Sequence, residues 1–323
     1  MARGTPCAFI EGDAGGAKED EIMAEMLDRL SLTVVVDDAA GQDSALRAQH
    51  GLSVWMEGVA GEQTLRLLLD VGQSFDTLRH NMSLLGLAPG SLDALVLSHG
   101  HYDHTGGMAS LVRATDKALP VVAHPDLFRP IVFLEPGPRS IGVRPEDQRP
   151  AVQAAGGVLL LSTDPVPLGP GMTTTGVVPR SSGFEESLLA AYTVAEGHLR
   201  TDPLEDDLAV VARIRGRGLV VVTGCSHAGI VNVVRRSMEL FPGEALDGVV
   251  GGFHLGSASA ERLTRTLDAL EELAPRWIAP GHCTGFEAQR AFKERFGAAF
   301  VRPYAGLVLT VAPDEDLAPR MGA

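Results

Sequence analysis

The stretch LDALVLSHGHYDHTGG, residues 92–107, ends an apolar run in a dense set of metal-binding residue types. His99, His101, Asp103 and His104 fall within six positions, and a glycine pair follows them. In extended backbone the imidazoles of His99 and His101 point to the same side, where they could bind one cation. Asp103 and His104 point elsewhere and could bind a second cation nearby, because the glycines allow the backbone to turn tightly. The stretch therefore predicts a site for two metal ions.

Three later histidines occupy the same kind of position. His227, His254 and His282 each follow an apolar run with a glycine close by, in TGCSHAG (223–229), GGFHL (251–255) and GHCTG (281–285). Each of them, taken alone, could be a structural histidine. Because strand ends gather at one rim of an α/β sheet, we expect these side chains to converge on the first cluster.

The remaining pattern indicates an α/β chain. Short β-branched or Leu-rich runs alternate with segments of helical spacing such as SFDTLRHNMSLLGL (74–87), and the second half repeats this order, which suggests an internal pseudo-repeat. Residues 1–20 are small, acidic and Gly-rich, which predicts a loose tail before a single domain at 21–323. The Pro- and Gly-rich segment 125–205 is expected to form an insertion or lid.

Charge and cysteine content limit the function classes. The chain has 27 Lys and Arg against 41 Asp and Glu, a net charge of −14, which disfavours nucleic-acid and membrane binding. The odd number of cysteines, Cys7, Cys225 and Cys283, argues for a reducing compartment. Because the sequence has no leader-like or membrane-spanning run, we expect a cytoplasmic protein with a small-molecule substrate, which could form a homo-oligomer.

The motif H-x-H-x-D-H at 99–104 resembles that of the metallo-β-lactamase superfamily. The segments SHGHYDHTGG, TGCSHAGIVN, GGFHL and GHCTG are most similar to a branch with archaeal 7,8-dihydropterin-6-methyl-4-(β-D-ribofuranosyl)-aminobenzene-5'-phosphate synthases. This resemblance implies a four-layer αβ/βα sandwich, in which helices flank two mixed β-sheets and a two-metal site lies at one edge.

The resemblance also implies a ligand set. The first metal would be bound by His99, His101 and His227, and the second by Asp103, His104 and His282. Zinc is the favoured metal, with manganese and iron as alternatives for a His/Asp site. Asp70, at the strand end before the helix, resembles the family's carboxylate that orients a ligand histidine. Its alternative role is that of a turn or cap residue.

One position departs from the superfamily pattern. Many members have Gly-Asp at the end of the later strand, where the aspartate bridges the metals, whereas this chain has Gly224-Cys225. Cys225 could bridge as a thiolate, His227 could replace it, or Cys225 could be a small buried apolar residue. His254 could be a ligand, a proton donor or a substrate contact. We take Asp103, which would steer the attacking water, and His254, which would protonate the leaving group, as the catalytic candidates.

Three functions fit this pattern. The first is a metallohydrolase acting on a small polar, phosphate-containing substrate. The second is a transferase that condenses a dihydropterin pyrophosphate with an arylamine phosphate, and the third is a non-enzymatic metal or ligand sensor. Arg180 and Ser181 in VVPRSSGFEES (177–187) are candidate substrate-binding residues, because arginine offers forked donors to an anion. Acidic residues could meet a pterin ring or form a solvated face: Glu185, Asp202, Glu205, Asp206 and Asp207.

Overall fold

The computed structural model describes residues 25–313, 315, 317 and 319–322, so the predicted tail and Cys7 lie outside the described residues. Its largest sheet has eight strands, in the spatial order β18-β17-β1-β2-β3-β4-β5-β8. These are β1 (Arg29–Val36), β2 (Ser53–Ala60), β3 (Gln63–Leu69), β4 (Ala94–Val96), β5 (Leu119–Ala123), β8 (Gly157–Leu161), β17 (Leu307–Val311) and β18 (Arg320–Met321). Strands β3, β4, β5 and β8 pair in parallel and the others antiparallel, so this sheet is mixed.

A second mixed sheet of six strands has the order β16-β15-β14-β13-β10-β9. Its strands are β9 (Pro167–Gly169), β10 (Met172–Thr174), β13 (Ala209–Ile214), β14 (Gly218–Thr223), β15 (Leu246–Gly252) and β16 (Trp277–Gly281). The described helices are α1 (Phe75–Leu84), α2 (Tyr102–Thr105), α3 (Met108–Ala114), α4 (Arg149–Ala154), α5 (Ile230–Leu240), α6 (Ala260–Leu273) and α7 (Phe286–Phe296). None of them has the length and apolar character that a membrane span requires.

The two sheets pack face to face because their strands are apolar on both sides. On β14, Val220 and Val222 contact the other sheet, whereas Leu219 and Val221 face α5 and its neighbours. Helices α1, α3 and α4 cover the outer face of the eight-stranded sheet, while α5, α6 and α7 cover that of the six-stranded sheet. This alternation gives four layers, helix, sheet, sheet and helix, and confirms the predicted α/β sandwich.

Segment 125–205 is not a single unit in the structure. Strand β8 extends the eight-stranded sheet, and β9 and β10 extend the six-stranded one. The rest forms a separate antiparallel sheet, the accessory sheet, from β6 (Ile131–Phe133), β7 (Arg139–Ser140), β11 (Tyr192–Ala195) and β12 (His198–Thr201). Only this sheet stands apart from the sandwich, because the other strands of the segment complete its edges.

The topology places the ends of four strands at one edge of the sandwich. Strands β14, β15 and β16 are mutually parallel, so their carboxyl ends lie side by side. The loops after these strands and after β4 carry the histidines singled out in the sequence. Four residues near this edge, Asp70, Ser226, His254 and His282, have φ between 46° and 59°, a strained backbone conformation for residues other than glycine.

Candidate metal centre

The loop after β4 and helix α2 carry the HxHxDH motif. Strand β4 ends at Val96, His101 retains extended backbone with φ −75° and ψ 148°, and the next four residues form the helical turn. The turn therefore places Asp103 and His104 in a different set of candidate ligands from that of His101, although the ring centroid of His104 still lies 4.3 Å from that of His99. All four side chains are buried.

The first cluster, here called the three-histidine group, consists of His99, His101 and His227. Nδ1 of His101 lies 2.9 Å from Nε2 of His99 and 3.1 Å from Nε2 of His227. Burial lowers the pKa of His101 to about 4 and the pKa values of the other two well below their usual range. The imidazoles are therefore neutral, which is the form that binds a metal ion.

The second cluster, the aspartate–histidine group, consists of Asp103, His104 and His282. Nε2 of His104 lies 3.2 Å from Nε2 of His282, and Oδ2 of Asp103 lies 3.5 Å and 3.4 Å from these two nitrogens. Burial alone would raise the pKa of Asp103, but His104 and His282 hold it well below its usual range. The group thus presents one carboxylate and two imidazole nitrogens to a common point.

Asp70 lies beneath both groups. Its Oδ1 accepts a hydrogen bond from the Ser98 backbone N–H at 2.7 Å, and its Oδ2 accepts from Ser98 Oγ at 2.6 Å and from His104 Nδ1 at 2.7 Å. The Ser98 hydroxyl in turn lies 2.9 Å from Nδ1 of His99. Since that hydroxyl donates to Asp70, Nδ1 of His99 is the donor to Ser98, and its Nε2 lone pair faces the site. A Cβ on Gly224 would lie 2.0 Å from Ser98 Oγ, so glycine allows this close approach.

Cys225 lies between the two groups. Its Sγ is 3.2 Å from Nε2 of His104, and the ligand atoms of His99, His104 and Cys225 all lie within 4.8 Å of one another. The side chain is buried, and burial raises the pKa of its thiol well above the usual range. This position fits both a ligand shared between the groups and a small buried side chain.

Asp37, Asp38 and His50 are neighbours of His282 that the sequence analysis did not identify. Asp37 Oδ2 accepts a hydrogen bond from the His282 backbone N–H at 3.0 Å, and Asp38 Oδ1 accepts from His282 Nδ1 at 2.7 Å. His50 Nδ1 donates to Asp38 Oδ2 at 3.0 Å, and its Nε2 lies 3.3 Å from Asp103 Oδ2. The two aspartates follow β1 directly, so the strand-end argument used for the histidines could have found them.

His254 adjoins the three-histidine group without entering it. Its ring centroid lies 4.3 Å from that of His227, and its ligand nitrogen falls within 4.8 Å of both Cys225 and Cys283 sulfurs. It also lines the cavity over the two groups. These contacts favour a role for His254 as a substrate contact over a role as a ligand in either group.

Two members of each group form the floor of a cavity of about 210 Å³: His101 and His227 of the first, and Asp103 and His282 of the second. Part of its wall is formed by Phe133 and Arg139 of the accessory sheet and by Ile141 and Leu189 next to it. Tyr102 of α2 forms another part. The guanidinium of Arg139 lies 4.9 Å from the centre of the Phe133 ring and is exposed at the rim. The cavity thus combines a polar floor with an apolar wall and a cationic rim.

Arg180 and Ser181 do not line this cavity. The Arg180 guanidinium donates to the carbonyls of His227 at 3.0 Å and Pro203 at 2.8 Å, and the Ser181 backbone N–H donates to Asn232. Arg180 therefore ties two loops together. Substrate binding by Arg180 or Ser181 therefore stays a prediction, and neither residue lines the cavity.

Most of the acidic residues considered for substrate binding have protein partners. Asp202 and Asp206 pair with Arg129 at 2.9 Å and 2.7 Å, and Asp206 also accepts from the Gly100 backbone N–H. Asp207 accepts from the Ala228 backbone N–H, and Glu185 accepts from two backbone N–H groups at the start of α5. These four side chains are buried and stabilise loops, whereas Glu205 is exposed.

The donor sets fit metal ions. Metal–nitrogen distances of 2.0–2.1 Å in a tetrahedral site separate ligand nitrogens by about 3.3 Å, close to the spacings within both groups. His99, His104 and His282 each direct Nδ1 to an oxygen partner, so each presents an Nε2 lone pair to its group. Each group supplies three ligands and leaves room for a further one, which is the pattern of catalytic sites.

Comparisons with known proteins point to one family. A sequence model described as the metallo-beta-lactamase superfamily matches residues 59–282. A 7,8-dihydropterin-6-methyl-4-(beta-D-ribofuranosyl)-aminobenzene-5'-phosphate synthase of Methanocaldococcus jannaschii is 34% identical over 88% of this chain and 97% of its own. An uncharacterized protein of the same archaeon is 33% identical over 80% of this chain and 91% of its own.

The solved structure of Tm1679, described as a metal-dependent hydrolase of the beta-lactamase superfamily, superposes with a TM-score of 0.73. It is 29% identical, and the match covers 88% of this chain and 99% of Tm1679. The sequence model, the relatives and this superposition agree with the sandwich architecture. This chain belongs to the metallo-beta-lactamase superfamily.

Proposed function

We propose that this protein is a two-cation metallohydrolase that acts on a small, polar, phosphate-containing substrate. The observation that carries this proposal is that the three-histidine group and the aspartate–histidine group share the floor of one cavity. Cations bound in both groups would supply Lewis acidity and an activated water near neutral pH. Zinc suits these imidazole and carboxylate ligands, and manganese and iron are the alternatives.

Asp103 and His254 are the residues to which we assign proton handling. The Asp103 carboxylate faces the cavity and accepts a hydrogen bond from the attacking water, which fixes the direction of attack. His254 lines the same cavity beside Cys283 and donates a proton to the leaving oxygen. The two side chains thereby divide the acid and base roles of hydrolysis.

Arg139 is the residue to which we assign recognition of the phosphate. It lies at the cavity rim, where its forked donors can bind two oxygens of a phosphate that is remote from the bond to be cleaved. Phe133 and Tyr102 border the same space and suit a planar or apolar portion of the substrate. This arrangement favours a substrate with both a ring and a phosphate.

A pterin transferase is the second candidate function. It is supported by the 34% identity to the archaeal synthase over 97% of that protein's length. In such a reaction an arylamine nitrogen takes the place of water as the nucleophile, and pyrophosphate leaves. The same cavity would then hold both substrates at the same time.

Mass spectrometry separates these functions. The zinc-loaded or manganese-loaded protein is incubated with a dihydropterin-methyl pyrophosphate, with and without a phosphorylated arylamine. A condensed product indicates the transferase, whereas release of pyrophosphate with the arylamine unchanged indicates the hydrolase. A chromogenic phosphodiester serves as a second substrate. Failure of the metal-loaded protein to cleave either compound or to form a condensed product would count against both candidates and favour a sensor.

A further inference from the structure

We infer that Asp38 is a positioning residue for the second cation, acting through His282. This inference rests on the proposed two-cation function and assigns a role to a residue outside both ligand groups. Asp38 follows β1 directly, and its Oδ1 accepts a hydrogen bond from His282 Nδ1 at 2.7 Å. The carboxylate therefore lies on the side of the imidazole opposite to its ligand nitrogen.

The contact matches the one between Asp70 and the other histidine of the aspartate–histidine group. Asp70 Oδ2 accepts from His104 Nδ1, also at 2.7 Å. Both histidines of this group thus donate Nδ1–H to a carboxylate, which fixes the tautomer and directs Nε2 to the common point. The arrangement is the same although the two aspartates follow different strands, β1 and β3.

The three-histidine group is held differently. His99 donates to the hydroxyl of Ser98, and among the residues that the structure describes no hydrogen-bond partner meets the buried Nε2 of His101 or Nδ1 of His227. In the described part of the chain, carboxylate partners of the ligand histidines are thus found only behind the aspartate–histidine group. Because a carboxylate partner raises the basicity of an imidazole ligand, loss of Asp38 should affect one cation site and spare the other.

The surroundings of Asp38 fix its position. His50 donates Nδ1–H to Asp38 Oδ2, and the Gly51 backbone N–H donates to Asp38 Oδ1 at 3.1 Å. On the other side, Asp37 accepts the His282 backbone N–H, which holds a residue with φ of 46°. The pair Asp37–Asp38 therefore fixes both the backbone and the ring of His282, across 244 residues of sequence.

Zinc titration of the metal-free full-length protein tests this role. We expect the wild type to bind two zinc ions and Asp38→Ala to bind one of them 10–100-fold more weakly, with the other unchanged. Asp38→Asn can still accept the hydrogen bond without the charge, so it should give an intermediate loss. Asp43→Asn is the matched control, because it removes a charge from an exposed position of the same loop.

A double-mutant cycle shows whether Asp38 acts through His282. Asp38→Ala should weaken zinc binding no further when it is added to His282→Ala. The Tm of the metal-free Asp38→Ala protein should match that of the metal-free wild type, because a merely structural role of Asp38 would make the Tm of the variant lower. Wild-type affinities in Asp38→Ala, equal weakening of both sites, or an additive loss in the double variant would overturn the inference. A wild type that binds no second zinc ion would instead overturn the proposed two-cation function.

Discussion

His101 and Asp103 supply ligand atoms to different groups, so each tests one half of the centre. Replacing either with alanine removes one of three ligands of its group and should lower kcat for phosphoester hydrolysis by more than about 100-fold. This loss exceeds the one typical when only the hydrogen-bond partner of a metal ligand is replaced. The packed cores do not include these side chains, so circular dichroism should still show a folded chain. His80→Ala, at a half-buried position of α1 that does not line the cavity, is the control. Full activity in His101→Ala or Asp103→Ala would contradict the assignment.

Cys225 is the second residue with a specific test, because its Sγ lies near ligand atoms of both groups. If its thiolate is shared by the two cations, the cobalt-loaded protein should show a sulfur-to-cobalt charge-transfer band in the near ultraviolet, and Cys225→Ser should lose it. Cys283→Ser, which retains Cys225, should keep the band. A band of equal strength in Cys225→Ser would mean that Cys225 is only a buried structural thiol.

Strand β7 of the accessory sheet brings Arg139 to the cavity rim, so under the proposed function this sheet would select the substrate. Arg139→Ala should raise KM for a phosphorylated substrate about tenfold, the value of one charge-assisted hydrogen bond at an exposed site, while kcat changes little. Arg200→Ala removes an exposed arginine from β12 of the same sheet and should leave KM unchanged. An equal effect of both variants would indicate a general electrostatic effect in place of recognition.

Helix α5 begins behind His227, and the carboxylate of Glu185 accepts hydrogen bonds from the backbone N–H groups of Val231 and Asn232 in its first turn. Burial raises the pKa of Glu185, although these bonds and Arg262 oppose the shift. A raised pKa means that the folded chain binds the proton more readily than the unfolded chain. The contribution of Glu185 to the free energy of unfolding is therefore fully present below the unfolded pKa and is lost as the pH rises through the folded one.

Glu185→Gln cannot titrate, so the free energy of unfolding of the wild type minus that of the variant should decrease as the pH rises above about 4. Denaturant unfolding at several pH values measures this difference. Glu186→Gln, at the exposed neighbouring position, provides the comparison. A difference that increases with pH would reverse the sign and exclude a raised pKa for Glu185.

The elements near the centre show what sequence can and cannot predict. The helical spacing of 74–87 predicted α1, and the strand-end argument predicted that His227 and His282 would meet the HxHxDH motif. Arg139 was not identified because β7 has only two residues, Arg139–Ser140, too few to form a pattern. The contact of Asp38 with His282 depends on how β1 and β16 are placed in two different sheets, which no local pattern encodes.

At the scale of the whole molecule, the two ligand groups connect the two sheets of the sandwich. The motif residues follow β4 of the eight-stranded sheet, whereas His227 and His282 follow β14 and β16 of the six-stranded one. Each group combines ligands from both sheets, so each bound cation would link them. A ligand that binds only the folded state stabilises it, by about 2.7 kcal/mol at a free concentration 100 times its Kd.

Removal of metal by a chelator should therefore lower the Tm of the full-length protein, and added zinc should restore it in a concentration-dependent way. Differential scanning calorimetry of the wild type with chelator and with excess zinc measures the shift. In Asp103→Ala the shift should be smaller, because one group has lost its carboxylate while the other retains its three histidines. Any cation that binds selectively to the folded state must raise its stability. A wild-type Tm that is the same in chelator and in zinc would therefore mean that the groups do not hold cations tightly enough to connect the sheets.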